Sequence, residues 1–256
     1  MKNDKTINIL KKLELSSSIK FNNSIKIKNF SKTKTSYSAW PEQWKKVYYK
    51  AYPKFPQVLL PDPARARWSL DDALIKRKSQ REFTKKDIKI QDLSTLLYFS
   101  SGLKELLFKG SGERRFYPSA GARYPLEIYP VIFNAESIKP AIYHYHVKSH
   151  SLEEIYSNSF VAQIIKQFNQ PWIRKSSMLI VVSAVFERTD NKYGDRGLRH
   201  IFTEYGHYAQ NIYLISQELG LGSCSIGGFI DDGLNKLLDF DPIDESVIGV
   251  IAIGTL

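Results

Sequence analysis

From Leu198 to Gly220 the apolar positions Ile201, Phe202, Tyr205, Tyr208, Ala209, Ile212, Ile215 and Leu219 recur at three- and four-residue spacing. Only an α-helix turns that spacing into one continuous stripe, and a stripe this long needs a broad apolar surface to cover. Two runs in the chain supply one. Met178 to Phe186 and Val247 to Gly254 are almost wholly apolar and read as buried strands. The chain is therefore expected to lay a long helix on a sheet.

Local signals add further elements. Ser69, with Asp72 three residues on, forms a capping-box pattern ahead of Leu70, Ala73 and Leu74, which predicts a helix to about Lys78. Leu93, Leu96 and Leu97 predict a second helix ending near Gly102. Glu127 to Asn134 and Ala141 to Val147 are rich in Ile, Val, Tyr and Phe around a polar, proline-containing break, as antiparallel neighbours would be. Phe160 to Phe168 has helical spacing. Interspersed helices and hairpin-like strands indicate an α+β fold. Pro53, Pro56, Pro61 and Pro63 form an extended connector. It divides an arm, 1–52, from a body, 53–256.

A chain of 256 residues with 43% hydrophobic content can bury a full core. Its apolar runs fall far short of the roughly 20 residues a membrane span requires. Near the N-terminus, lysines alternate with Ile and Leu without a signal-peptide block, so a cytoplasmic location is expected. The one cysteine, Cys224, can neither pair within the chain nor assemble a thiolate metal site. His144, His146 and His150 alternate along a strand and its end with no third ligand evident, so no metal is expected.

The formal charge of +11 is unevenly placed. Residues 1–60 carry 13 Lys and three acids, a surplus of ten, and the rest is nearly neutral. That is an arm, not a basic groove across a fold, and nucleic-acid binding ranks last. Residues 1 to about 35 read as loosely ordered, either a solvated leader or a contact for an acidic peptide or partner. Trp40 to Tyr52 has enough aromatic residues to dock on something.

Three segments carry chemistry. Arg77-Lys78-Ser79-Gln80-Arg81 puts three cations and a hydroxyl at a helix end, where guanidinium forks match phosphate oxygens; alone, it reads more readily as a solvated face. Arg114 to Pro125 carries small residues at Ser119, Ala120, Gly121 and Ala122 between Pro118 and Pro125, so its backbone can approach a flat heterocycle closely. Gly220 to Phe229 lacks both the P-loop lysine and GxGxxG, yet reads as a backbone-rich ligand loop containing Ser225, Ile226, Gly227 and Gly228. Cys224 within it reads as a packed residue.

In this order, together with Lys192-Tyr193-Gly194 and Glu204-Tyr205-Gly206-His207, these segments resemble the nitroreductase-like flavoproteins. Within them the chain is similar to the SagB/McbC-type azoline dehydrogenases, chiefly over Arg115 to Tyr129, and the similarity runs from about Pro53 to the C-terminus. The resemblance implies a mixed or antiparallel sheet flanked by helices, with FMN at the interface of a homodimer. It implies that Arg77, Lys78, Ser79 and Arg81 hold the FMN phosphate and ribityl side. Pro118, Ser119, Ala120 and Gly121 would border the isoalloxazine from the other subunit, and Ser225, Ile226, Gly227 and Gly228 would face the same flavin. Lys192 and Tyr193 would be acid/base residues. Many relatives carry further basic phosphate ligands after the last core strand. Here Leu256 follows Gly254 by two residues, so anchoring is expected to lean on Arg77 and Arg81.

The implied reaction oxidises a thiazoline or oxazoline in a ribosomally made precursor peptide to a thiazole or oxazole. A cyclodehydratase or leader-peptide-binding protein is an implied partner, and oxygen the expected electron acceptor. Two other readings remain: an NAD(P)H-dependent nitro or quinone reductase, and a non-catalytic scaffold that recruits a peptide or partner. Without the resemblance, Lys192 and Tyr193 would read as part of a polar loop between a strand and a helix.

Overall fold

The computed structural model describes residues 16–27, 37–65, 67, 69–104 and 113–256. Its helices are α1 (Ser17–Ser24), α2 (Glu42–Lys45), α3 (Leu70–Lys76), α4 (Ile90–Ser101), α5 (Asn158–Ile165), α6 (Glu187–Tyr193), α7 (Gly197–Glu218) and α8 (Asp231–Leu237). Its strands are β1 (Gln57–Leu59), β2 (Leu103–Lys104), β3 (Arg114–Arg115), β4 (Leu126–Ile132), β5 (Ala141–His146), β6 (Ser151–Tyr156), β7 (Met178–Val185), β8 (Leu221–Ile226) and β9 (Glu245–Thr255). Seven strands form one sheet in the order β1-β6-β5-β4-β7-β9-β8, with every neighbour antiparallel. The α+β architecture read from the sequence is the observed one.

Two-residue alternation, shifted once where β7 meets β9, sends the central strands into two cores. Ile128, Ile180, Val182 and Ile251 pack on one face with Leu93, Leu96 and Leu97 of α4 and with Tyr208 and Ile212 of α7. Tyr129, Val131, Leu179, Val181 and Val250 pack on the other with Val161 and Ile164 of α5 and Leu234 of α8. Each fully buried Leu or Ile contributes about 1.5–3 kcal/mol. The long helix is thus held on one face of the sheet, chiefly over β8 and β9.

Four local expectations need correction. The helix capped by Ser69, whose Oγ accepts from Asp72 N at 3.3 Å, stops at Lys76, not Lys78. Arg77 turns extended (φ −56, ψ 123), which frees the following residues from the helix. Gly220 to Phe229 is not a loop throughout: 221–226 is an edge strand, and a β-carbon on Gly222 would lie 2.8 Å from Gln80 Cγ. Lys192 and Tyr193 end a helix instead of lying in a loop. Of the residues read as loosely ordered, 16–27 contain α1, and 1–15 and 28–35 lie outside the described residues.

The histidines are more than decoration. His144 is wedged between two buried carboxylates, with Nδ1 2.8 Å from Glu153 and Nε2 3.0 Å from Glu127. Arg188 closes the chain on Glu127 at 2.6 Å. Among the described residues no group of His, Cys, Asp and Glu is arranged to hold a metal ion. No helix there is long and apolar enough to cross a membrane.

Candidate active site

Helix α7 organises two sets of residues. On its C-terminal half, Tyr213 accepts a hydrogen bond from the Ser225 N–H at 2.7 Å, and its hydroxyl lies 3.3 Å from Ser79 Oγ. The Arg77 guanidinium sits over the Tyr213 ring, 5.5 Å from its centre. Gln80 N donates to Ser223 O at 2.9 Å, pinning the 77–81 segment along β8. Tyr205 reaches Ser225 Oγ at 2.8 Å and occupies the space a side chain at Gly249 would need. The first and third sequence segments therefore meet, joined by Tyr205, which the helical spacing presented only as core, and by Tyr213, which that spacing left out.

This first cradle suits a phosphate and a polyol. Among the described residues, Arg77, Lys78 and Arg81 form no ion pair with a carboxylate. Lys78, Ser79 and Arg81 are exposed and Arg77 is half-buried. Beyond β8, Gly227 opens onto free space and the Gly228 carbonyl accepts from Gln170 Nε2 at 3.2 Å. Ile226 turns its side chain into the core and offers only backbone. Arg81 lies against Cys224, whose thiol is pushed up by burial, the wrong direction for a nucleophile.

The second set forms where α6 meets the 118–124 turn. Gly121 adopts φ +60, and a β-carbon there would come within 2.7 Å of Tyr193 Oη and 3.0 Å of Lys192 Nζ. Backbone, amine and phenol converge on one point. Arg123 Nε donates to Gly121 O at 3.0 Å, and Tyr124 N donates to Ser119 Oγ at 2.8 Å, fixing the turn. Pro118 is exposed, and Ser119 and Ala120 are half-buried. Burial and the Arg123 charge lower the Lys192 pKa, which enlarges its neutral fraction. Burial raises that of Tyr193, which stays a phenol.

Behind the turn lies a buried carboxyl, Glu204, pushed up to about 8 by burial against the opposing pull of a Ser119 hydrogen bond and of Arg115 and Arg188. Arg115 is itself buried, donating from Nη1 to Tyr117 Oη at 3.0 Å and to Leu126 O at 3.2 Å. Glu204 and Tyr205 are successive residues of α7, one serving Ser119 and the other Ser225. The helix thereby links the two sets. Glu204 was visible within a quoted motif, but nothing in the sequence gave it a role.

An open cleft of about 960 Å³ lies between the 113–124 segment and Trp40, Trp44, Lys45 and Val47 of the arm. Trp44 Nε1 donates to Asn191 O at 3.0 Å, and Arg123 Nη1 to Gln43 O at 2.8 Å. The aromatic segment expected to dock therefore does so beside Lys192.

An antiparallel α+β sheet with a cationic cradle and a glycine-bearing turn strung along one helix defines a flavoprotein-type architecture. The nitroreductase family profile matches residues 74–255, and the chain belongs to that family. A Methanocaldococcus jannaschii protein with a provisional nitroreductase name is 35% identical over 71% of this chain and 89% of its own length. The trifolitoxin-processing protein TfxB of Rhizobium leguminosarum is 27% identical over 63% of this chain, and the microcin B17-processing protein McbC of Escherichia coli 28% over 50%. The chain spans only 46% and 49% of those two proteins.

Among solved structures, a provisionally named nitroreductase of Anabaena variabilis superposes with a TM-score of 0.71 and 26% identity over 92% of this chain and 45% of its own. The E. coli McbBCD microcin synthetase, bound to truncated pro-MccB17, gives 0.59 and 23% identity over 88% of this chain and 85% of that one. A nitroreductase-fold protein of Desulfovibrio desulfuricans, solved in complex with FMN, gives 0.51 and 16% over 73% and 86%.

Proposed function

We propose that the protein is an FMN-dependent dehydrogenase that oxidises azoline rings of a precursor peptide to azoles. The observation that carries this reading is the convergence of Lys192, Tyr193 and the Gly121 backbone on one point. When bound, FMN supplies a hydride acceptor. Lys192, with its lowered pKa, takes the proton from the ring carbon beside the carbonyl, and Tyr193 remains protonated to donate a hydrogen bond to the substrate. With FMN bound, the ring would lose one proton to Lys192, the flavin would supply the acceptor for its hydride, and an oxidant such as oxygen would take up both electrons. Arg77, Lys78, Ser79 and Arg81 hold the phosphate end, and the backbone at 225–228 and 118–121 lies against the flavin.

In this reading the flavin sits between two copies of the chain. Leu70, Leu74 and Ile75 are exposed on α3, directly before the 77–81 cradle, and form an apolar face for a partner copy. The likeness to McbC and to its synthetase complex supports a precursor peptide as substrate and a cyclodehydratase as partner. Lys192→Ala should retain FMN but lose at least about 10²-fold in turnover, as expected on removing a general base. The check is mass spectrometry of a thiazoline-containing peptide, which should lose two hydrogens per ring with wild type and none with the variant. Undiminished oxidation by the variant would remove Lys192 from the mechanism.

The 35% identity to the Methanocaldococcus protein favours a second reading, reduction of nitro compounds or quinones with NAD(P)H. It uses the same cradle and differs in what enters the cleft.

A further inference from the structure

Lys192 is half-buried. Its Nζ lies 3.5 Å from the centre of the Trp40 ring and 5.6 Å from that of Trp44, two rings stacked edge to face at 6.1 Å. The position of Trp40 is held from several sides. Trp44 Nε1 donates to Asn191 O at 3.0 Å and Arg123 Nη1 to Gln43 O at 2.8 Å. Farther along the arm, Arg196 Nη1 donates to Ile25 O at 2.7 Å, and Arg199 bonds the Asn22 side chain. The arm is thus fastened to α6 and to the start of α7, the elements that carry Lys192 and Tyr193. Trp40 and Trp44 also line the cleft on the side opposite the 113–124 segment.

We infer that Trp40 is a positioning residue for Lys192: the face of its indole holds the side-chain nitrogen beside the Gly121 turn and stabilises the positive charge that develops there. An ammonium over an indole face is attracted by the ring quadrupole, more strongly than over any other aromatic side chain. A neutral amine gains little from the same face. As Lys192 takes a proton, charge appears on Nζ, and a ring already in place stabilises it without reorganisation. Burial and Arg123 disfavour the ammonium and the indole favours it; on that one protonation equilibrium Trp40 opposes them, making Lys192 a stronger base than burial alone would leave. The 37–47 segment then belongs to the active site.

The catalytic part of this inference rests on Lys192 as base, whereas the geometric part does not. The full-length protein is reductively methylated with 13C-formaldehyde, and the dimethyl-lysine resonance of residue 192 is assigned by its loss in Lys192→Arg. In the wild type it should lie upfield of the other lysines because it sits in the shielding cone of the indole. Trp40→Phe should keep much of that shift. Trp40→Leu, which retains apolar bulk without a π face, should abolish it. Oxidation of a thiazoline peptide by the FMN-loaded, unmethylated enzyme should fall roughly 5- to 30-fold in Trp40→Leu, matching a cation–π contact partly shielded from water, and recover in Trp40→Phe. An unshifted Lys192 resonance in the wild type overturns the proposal. So does equal turnover in the Leu and Phe variants alongside a shifted resonance. A shifted resonance in a protein whose Lys192→Ala variant oxidises the peptide normally would instead refute Lys192 as base.

Discussion

At Gly121 the backbone itself is part of the site. Its φ of +60 lies in the left-handed region, and the space beside its α-carbon is filled by Tyr193 Oη and Lys192 Nζ. Gly121→Ala brings both penalties together. The left-handed conformation costs a non-glycine residue about 1–2 kcal/mol, and the new methyl must push the amine and phenol aside. Displacing catalytic groups by an ångström costs on the order of 10²-fold in rate. Turnover should fall by that factor while the melting temperature drops only a few degrees; steady-state kinetics and a thermal melt check the pair. Glu204 gives a pH prediction. Its folded pKa of about 8 lies above the ordinary carboxyl value of 4.5, so folding takes up a proton between those pH values. Its stabilising contribution is full below 4.5 and is lost as pH rises toward 8. Glu204→Gln cannot ionise, so its melting temperature relative to wild type should rise from about pH 5 to about pH 9. A gap constant across that range would show that Glu204 titrates normally.

At the level of elements, the segment after α3 takes a path that the sequence hid. Arg77 to Arg81 leaves the helix and lies along β8 through the Gln80 N to Ser223 O hydrogen bond. Two guanidinium groups there should each provide charge-assisted hydrogen bonds worth about 1.5–3 kcal/mol. Arg77→Ala and Arg81→Ala should each weaken FMN binding by roughly 10- to 150-fold, read by fluorescence titration of the apoprotein. The strands and helices with strong periodicity, β7, β9, α4 and α7, were legible because their apolar stripes face deep cores. β8 was not, because Gly222, Ser223 and Ser225 mimic a turn; the strand is an edge whose backbone approaches Gln80 and Leu256. β6 was missed because its acidic sequence disguises burial: Glu153 is inside only because His144 and the Tyr52 N–H satisfy it. Gly121, Lys192 and Tyr193 stood out in the sequence as members of two separate segments. Their convergence depends on α6 packing beside the 118–124 turn, a long-range contact that no local pattern encodes.

For the molecule as a whole, the exposed apolar face of α3 and the basic arm are the two surfaces through which the site would meet other chains. If Leu74 and Ile75 seat a second copy, Ile75→Asp should convert a dimer to a monomer in sedimentation velocity and release FMN at the same time. The arm carries a surplus of ten positive charges over residues 1–60, and its described part is docked beside Lys192. The central claim, a flavin used to oxidise a peptide ring, is tested most directly by the visible absorption of the purified protein under anaerobic conditions. The spectrum is recorded alone, after NADPH, and, in a second cuvette, after a thiazoline-containing peptide. The account predicts oxidised flavin bands, little bleaching by NADPH, and loss of the bands as the peptide is converted to its thiazole. Rapid bleaching by NADPH with none by the peptide would contradict it and make the protein a reductase.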